Sequence, residues 1–229
     1  MIKSNKFFIK KLKKVVFIGA FENFKDLINI NKKIGLKTEI ITSSIQAKSL
    51  SKNLDYKIFN STKGNFRNYI KKTCKIENTL FFSISARYIF KKKSINNFFK
   101  SNLVNFHASR LPFDGGGAQF SWNIMREDRI CSHVIHVINE GIDKGSVLIN
   151  QKSLYPFSCK TPYDFKKVSD ERFPYLYEKF INKLYKGDKF KLTSQPDGIG
   201  RYNPRLNTLD NGWVDWNLNS HDLINFINK

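Results

Sequence analysis

The sequence predicts an α/β protein: a Rossmann-like, mostly parallel sheet with helices on both faces, plus a short C-terminal extension. Three observations predict it. Short continuous apolar runs recur, such as KVVFIGA at residues 14–20 and LFFSI at residues 80–84, and such runs suit strands buried on both faces. Stretches with helical spacing lie between them, as crossovers between parallel strands require. The 229 residues, 41% hydrophobic and 14% aromatic, can fill one large core.

The elements follow in order. Residues 14–20 form the first strand, which ends in a turn at Gly19. Phe24, Leu27, Ile28 and Ile34 mark one face of a helix that Gly35 closes. Residues 38–42 (TEIIT) and 56–59 (YKIF) are the next two strands. Residues 66–74 read as a helix, 80–84 as a strand, 94–100 as a short amphipathic helix and 102–106 as a strand. A helix over 121–128 and a long strand over 131–139 come after the glycines, and a turn then leads into one further strand. Thr161-Pro162 is a helix start. Pro174 is expected to end that helix and begin another, with Leu176, Phe180 and Leu184 on one face and Gly187 as its stop. That stop divides residues 1–187, the main domain, from residues 188–229, the extension. In the extension, NGWVDW at 211–216 reads as a strand, and Ser220 as the cap of a last helix.

Composition narrows the function. Lys+Arg 40 against Asp+Glu 19 gives a net charge of +21, which favours encounters with anionic partners. The lysines are spread over residues 10–14, 91–93 and 183–191, as a solvated surface would have them. Cys74, Cys131 and Cys159 are odd in number and lack a CxxC pair, which fits a reduced, cytoplasmic chain. The apolar run near the N-terminus is too short to span a membrane and lacks a cleavage pattern, so it reads as a strand.

The densest chemistry lies in residues 104–122, VNFHASRLPFDGGGAQFSW. Asn105 and His107 are two apart on a strand and therefore share a face at its carboxyl end. In a doubly wound sheet that end borders the ligand crevice. Asn supplies an amide donor, and His supplies a donor, an acceptor and a proton near neutral pH. Pro112 stiffens the exit, and Gly115, Gly116 and Gly117 let the backbone approach a ligand closely. His133 and His136 lie three apart on a strand, so they face opposite sides, which argues against a shared metal. Asp143 follows a turn, where a carboxylate could orient an imidazole.

NFHASRLP, the Gly-rich loop with SW, and HVIHVINEGIDKGSVLINQ together resemble the folate-dependent formyltransferase family. Its signature is Asn-x-His-x-Ser-x-Leu-Pro, followed by a His-bearing strand and Asp-x-Gly. FSISARYIF at residues 82–90 resembles the family segment whose backbone holds the pterin ring. YNPRLN and NGWVDW resemble the region that follows the catalytic domain in sugar N-formyltransferases and methionyl-tRNA formyltransferases. The chain departs from the family at Gly115 and Gly116, where relatives often carry Arg-Gly.

The resemblance implies transfer of a formyl group from 10-formyltetrahydrofolate to the primary amine of a nucleotide-linked amino-sugar. It assigns catalysis to Asn105, His107 and Asp143, with His136 supporting them indirectly and no metal needed. Arg87, Tyr88, Ile89, Ile138 and Gly141 would bind the folate. It also implies a cytoplasmic homodimer, with Trp213 or Trp216 at the interface, that contacts neither membrane nor nucleic acid. Two alternatives stay open: an RNA-acting enzyme like methionyl-tRNA formyltransferase, which the positive charge favours, and a non-catalytic nucleotide- or folate-binding module.

Overall fold

A computed structural model describes residues 5–59 and 75–228. The helix expected over 66–74 lies outside the described residues. The chain runs through β1 (Lys6–Phe7), β2 (Lys14–Gly19), α1 (Phe24–Lys33), β3 (Lys37–Ser43), α2 (Ser44–Ala47), β4 (Lys57–Phe59) and β5 (Thr79–Ile84). A short helix, α3 (Lys92–Ser94), runs on into a wider π turn at Ile95–Phe99. Then come β6 (Leu103–His107), β7 (Asp114–Gly116), α4 (Gln119–Met125), β8 (Ile130–Val137) and β9 (Val147–Leu154). The chain closes with α5 (Pro162–Lys186), β10 (Phe190–Lys191), β11 (Arg201–Asn203), α6 (Thr208–Asn211) and α7 (Ser220–Ile227).

Seven strands form one sheet in the order β4-β3-β2-β5-β6-β8-β9. Strands β2 to β6 are parallel, and β8 and β9 each run antiparallel to their inner neighbour. The apolar runs become strands because both faces of the sheet are covered. Val15 and Phe17 on β2 pack with α1 and α5 on one side. Val16 and Ile18 face the other side, with Phe90, Ile95 and Phe99. The order reverses between β2 and β5, so the crevice beyond their carboxyl ends is the natural ligand site.

Helix α5 is one helix of 25 residues, not the two expected from Pro174. A proline removes one N–H and frees the carbonyl four residues back, here that of Asp170. Asn23 Nδ2 donates to that oxygen at 3.1 Å. The helix is also held by its buried face, where Phe173 stacks on Phe106 with ring centres 3.7 Å apart. Thr161 and Asp164 close a capping box at its start, and Gly187, at φ 88°, ends it.

Segments after Gly187 return to the main body at several places. Strand β10 pairs antiparallel with β1, and β11 pairs in parallel with β7. His221 and Asn225 on α7 bond to Glu127, next to α4. The strand expected at residues 211–216 is not formed. Gly212 instead ends α6, and Trp213 Nε1 donates back to the Leu209 carbonyl at 2.9 Å. Asn219, not Ser220, caps the last helix by accepting from the Asp222 N–H. No helix among the described residues is long and apolar enough to cross a membrane.

Candidate active site

Strand β6 presents Leu103, Asn105 and His107 on one face, and Val104 and Phe106 on the other. Val104 and Phe106 belong to the core against α5. Leu103 belongs to the opposite core, so Asn105 and His107 open on the side of Phe90 and Ile138. Strand β8 pairs antiparallel with β6, with Asn105 opposite His136. A bulge between Ile135 and His136 breaks the regular pairing with β9 at this point. His133 points the other way, to Phe106 and the Ser169 hydroxyl of α5, 2.9 Å away.

Asp143 reaches the same place from the turn after β8. Its Oδ2 lies 3.7 Å from His107 Nε2, and its Oδ1 lies 3.7 Å from His136 Nε2. The backbone at Asp143 is left-handed, with φ 54°, a conformation Asp tolerates better than most residues. Two restraints keep it there. Gly116 N donates to Oδ2 at 2.9 Å. Gln195 Nε2 donates to the carbonyls of Asp143 and Gly145, at 2.7 and 2.6 Å. Gly145 has no room for a side chain, since a Cβ there would stand 1.6 Å from the Val137 carbonyl oxygen.

Proton positions follow from the partners. His136 Nδ1 faces the Val137 carbonyl at 3.0 Å, and a carbonyl only accepts, so Nδ1 carries the proton. Nε2 is then a lone pair, and Asn105 Nδ2 donates to it at 3.2 Å. This fixes the orientation of the Asn105 amide and leaves its second N–H for another acceptor. Burial, reinforced by the nearby His107, pushes His136 down to about 4, so the ring stays neutral. His107 Nε2 is buried and has no hydrogen-bond partner. At 3.7 Å the Asp143 carboxylate is too far for a direct bond and leaves room for a small group between them.

Burial also pushes His133 down to about 4, with the Arg172 charge adding to the effect. Both rings therefore refuse protons that the unfolded chain accepts below about pH 6.5. Stability is expected to fall as pH drops from about 6.5 toward 4, by on the order of 3 kcal/mol per ring. Urea unfolding across this range checks it. A His133→Gln variant should show a shallower fall than the wild type, and equal slopes would exclude this ring as a source.

The segments expected to hold a cofactor lie beside this cluster. Gln46 straps the first of them, donating to the Ser85 carbonyl at 2.7 Å and accepting from Arg87 N at 3.2 Å. Tyr88 and Ile138 pack on the same core around Phe90. Arg87 and Ile89 are exposed, and Gly141 sits in the turn, with its N–H on Asn139 Oδ1. Lys92 and Glu140 join the two segments through an ion pair of 2.8 Å. Sequence reasoning placed His136 as an indirect support from the neighbouring strand and missed Gln195. A cross-strand partner and a clamp from the tail carry no local signal.

No family model matches the chain. It is 27% identical over 161 residues to the methionyl-tRNA formyltransferase of Thermodesulfovibrio yellowstonii, a match covering 70% of this chain. It is 26% identical over 233 residues to that of Borrelia garinii subsp. bavariensis, covering 94% of this chain. The chain spans 50% of the first relative's length and 70% of the second's. Its fold matches a 4-N formyltransferase from Francisella tularensis with a TM-score of 0.76 and 20% identity, over 96% of this chain and 88% of that one. It also matches an N-formyltransferase from Helicobacter canadensis, solved with folinic acid and dTDP-3-aminofucose, with a TM-score of 0.70 and 20% identity, over 95% and 80%. Its relatives in sequence are methionyl-tRNA formyltransferases, and its neighbours in fold are sugar or other N-formyltransferases, so by both comparisons the chain resembles the folate-dependent formyltransferase family.

Proposed function

We propose that the chain transfers a formyl group from 10-formyltetrahydrofolate to the primary amine of a nucleotide-linked amino-sugar. One observation carries the reading. His107 Nε2 is a buried polar atom without a partner, and it faces a carboxylate across a gap that Asn105 also borders. Buried polar groups are rarely left unpaired, and this one suits a substrate oxygen. The Helicobacter neighbour's complex with folinic acid and an amino-sugar nucleotide supports both substrates.

The groups divide the work by their chemistry. The folate supplies the formyl group: the carbon–nitrogen bond to the acceptor amine forms, the bond to the folate nitrogen breaks, and tetrahydrofolate leaves. Asn105, through its second amide N–H, and His107, through Nε2–H, donate to the formyl oxygen as negative charge gathers there. Asp143 stabilises positive charge on the attacking nitrogen and accepts its proton, directly or through one water, and that proton passes to the folate nitrogen as it leaves. Neutral His136 holds the Asn105 amide in its donating orientation. Tyr88 and Ile138 give a flat ring an apolar floor, with backbone groups at Arg87, Ile89 and Gly141 at its edge.

Incubation with 10-formyltetrahydrofolate and a panel of nucleotide-linked amino-sugars should add a formyl group, detected by mass spectrometry. Added folate should protect residues 87–90 and 138–143 from hydrogen exchange. The absence of both effects would end this reading. A second reading, formylation of methionyl-tRNA, is favoured by the relatives in sequence, so methionyl-tRNA belongs in the acceptor panel. The same reading includes a homodimer, since Trp213 and Trp216 are 81% and 82% exposed in the single chain. Light scattering that gives a monomer mass at tens of micromolar would exclude it.

A further inference from the structure

One side chain of the tail reaches the turn that carries Asp143. Ser194 and Pro196 are exposed, but Gln195 between them is half-buried. The following proline favours extended backbone at Gln195. Its Nε2 donates to the carbonyls of Asp143 and Gly145, at 2.7 and 2.6 Å, which engages both N–H groups. Carbonyls only accept, so the orientation of the amide is fixed. Oε1 is thereby left buried with no hydrogen-bond partner. A buried oxygen without a partner costs stability, and an apolar side chain of similar length would avoid that cost. What the amide alone supplies is a pair of donors to one turn.

That turn holds Asp143 in a left-handed conformation, with φ 54°. The Asp143 carboxylate is also gripped from a second turn, where Gly116 N donates to Oδ2 at 2.9 Å. The two turns come from different parts of the chain, and the tail is tied to each. Thr193 exchanges two backbone bonds with Val147, at 2.8 and 3.0 Å, just beyond the first turn. At the second, β11 pairs with β7, and Gly117 N donates to the Asn203 carbonyl at 2.7 Å. Arg201 Nε meets the buried Asp114 at 2.6 Å in the same place. The approach is close, since a Cβ on Gly116 would stand 2.2 Å from the Asn203 carbonyl oxygen. Residues 193–203 therefore bridge the two turns that hold one carboxylate.

We propose that Gln195 is a positioning residue for formyl transfer: it sets the Asp143 carboxylate against His107, and residues 193–203 hold the two turns around that carboxylate in place. The inference rests on the reading of Asp143 as the proton acceptor. Gln195 bonds the backbone of the turn, so it acts through Asp143 and not on a substrate. The carboxylate stands 3.7 Å from His107 Nε2. A displacement of about 1 Å in such a constellation can cost about a hundredfold in rate.

The test is Gln195→Met in the full chain, which keeps the length of the side chain and removes both donors. Steady-state kinetics should show kcat lowered at least about tenfold, with KM for 10-formyltetrahydrofolate within about twofold of wild type. The same change made in Asp143→Asn should cost less than about threefold more, because no carboxylate is left to place. Amide hydrogen exchange, followed by NMR, gives a readout independent of activity. The Gly116 N–H, which bonds Asp143, should exchange at least about tenfold faster. The Gly117 N–H, which bonds Asn203, should stay within about twofold. Gln195→Asn, a methylene too short to reach both carbonyls, should show the same pattern and serves if the first variant does not fold. Unchanged Gly116 exchange or unchanged kcat in a folded variant would overturn the assignment. Equal acceleration at Gly116 and Gly117 would also overturn it, since that marks general loosening of the tail. Absence of formyl transfer by the wild type would instead overturn the reading of the reaction, and the exchange result would still decide whether Gln195 places Asp143.

Discussion

Asp143→Asn lowers formyl transfer by at least about a hundredfold, the scale set by loss of a proton acceptor in the transition state. This substitution separates charge from shape. Asn keeps an oxygen that can accept from Gly116 N, in place of the 2.9 Å bond Asp143 makes. Asn also tolerates the left-handed φ of 54° at this position. The Gln195 clamp bonds backbone carbonyls and is untouched. The variant should therefore fold and bind folate as the wild type does. It loses the negative charge 3.7 Å from His107 and the lone pair that takes the amine's proton. Steady-state kinetics should show the loss in kcat, with KM little changed, the pattern of an interaction made only in the transition state. Activity within about threefold of wild type would make Asp143 a structural turn residue.

The sheet was legible because its strands are local objects. KVVFIGA and LFFSI are apolar throughout, and β2 and β5 are buried on both faces. The pairing of Asn105 with His107 was equally readable, because a period of two is a property of one strand. The errors fall where a distant residue decides. Pro174 breaks a helix by local rules, but Asn23, 147 residues away, satisfies the carbonyl it frees. NGWVDW is apolar enough to read as a strand, but Gly212 ends a short helix there instead. His136 joins the site only through its antiparallel register with Asn105 and the bulge beside it, and neither is written in one strand. Gln195 and Arg201 arrive from the tail, where each is an ordinary polar residue in a loop-like sequence. Family resemblance pointed to Asp143, whose turn gives only a weak local signal.

His107→Ala also lowers turnover by at least about a hundredfold, because it removes one of two donors to the developing negative charge. The argument is geometric. Asn105 and His107 extend from the end of β6 on one face, so their polar tips border one space. Asn105 has one N–H occupied by His136 and can offer only the other. The imidazole is then the main remaining donor on that wall, and its Nε2 has no protein partner to surrender. Removal of the ring should cost little stability, since the side chain is partly exposed and its Nε2 makes no hydrogen bond. It also spares the core on the other face of β6, where Phe106 stacks on Phe173. Asn105→Ala should cost activity too, but it would also leave His136 Nε2 buried and unpaired, so its stability loss should exceed that of His107→Ala. The two variants together separate donation to substrate from support of the fold. If His107→Ala retains near-wild-type turnover in the formyl-transfer assay, the oxyanion is held elsewhere and His107 lines the site without acting in it.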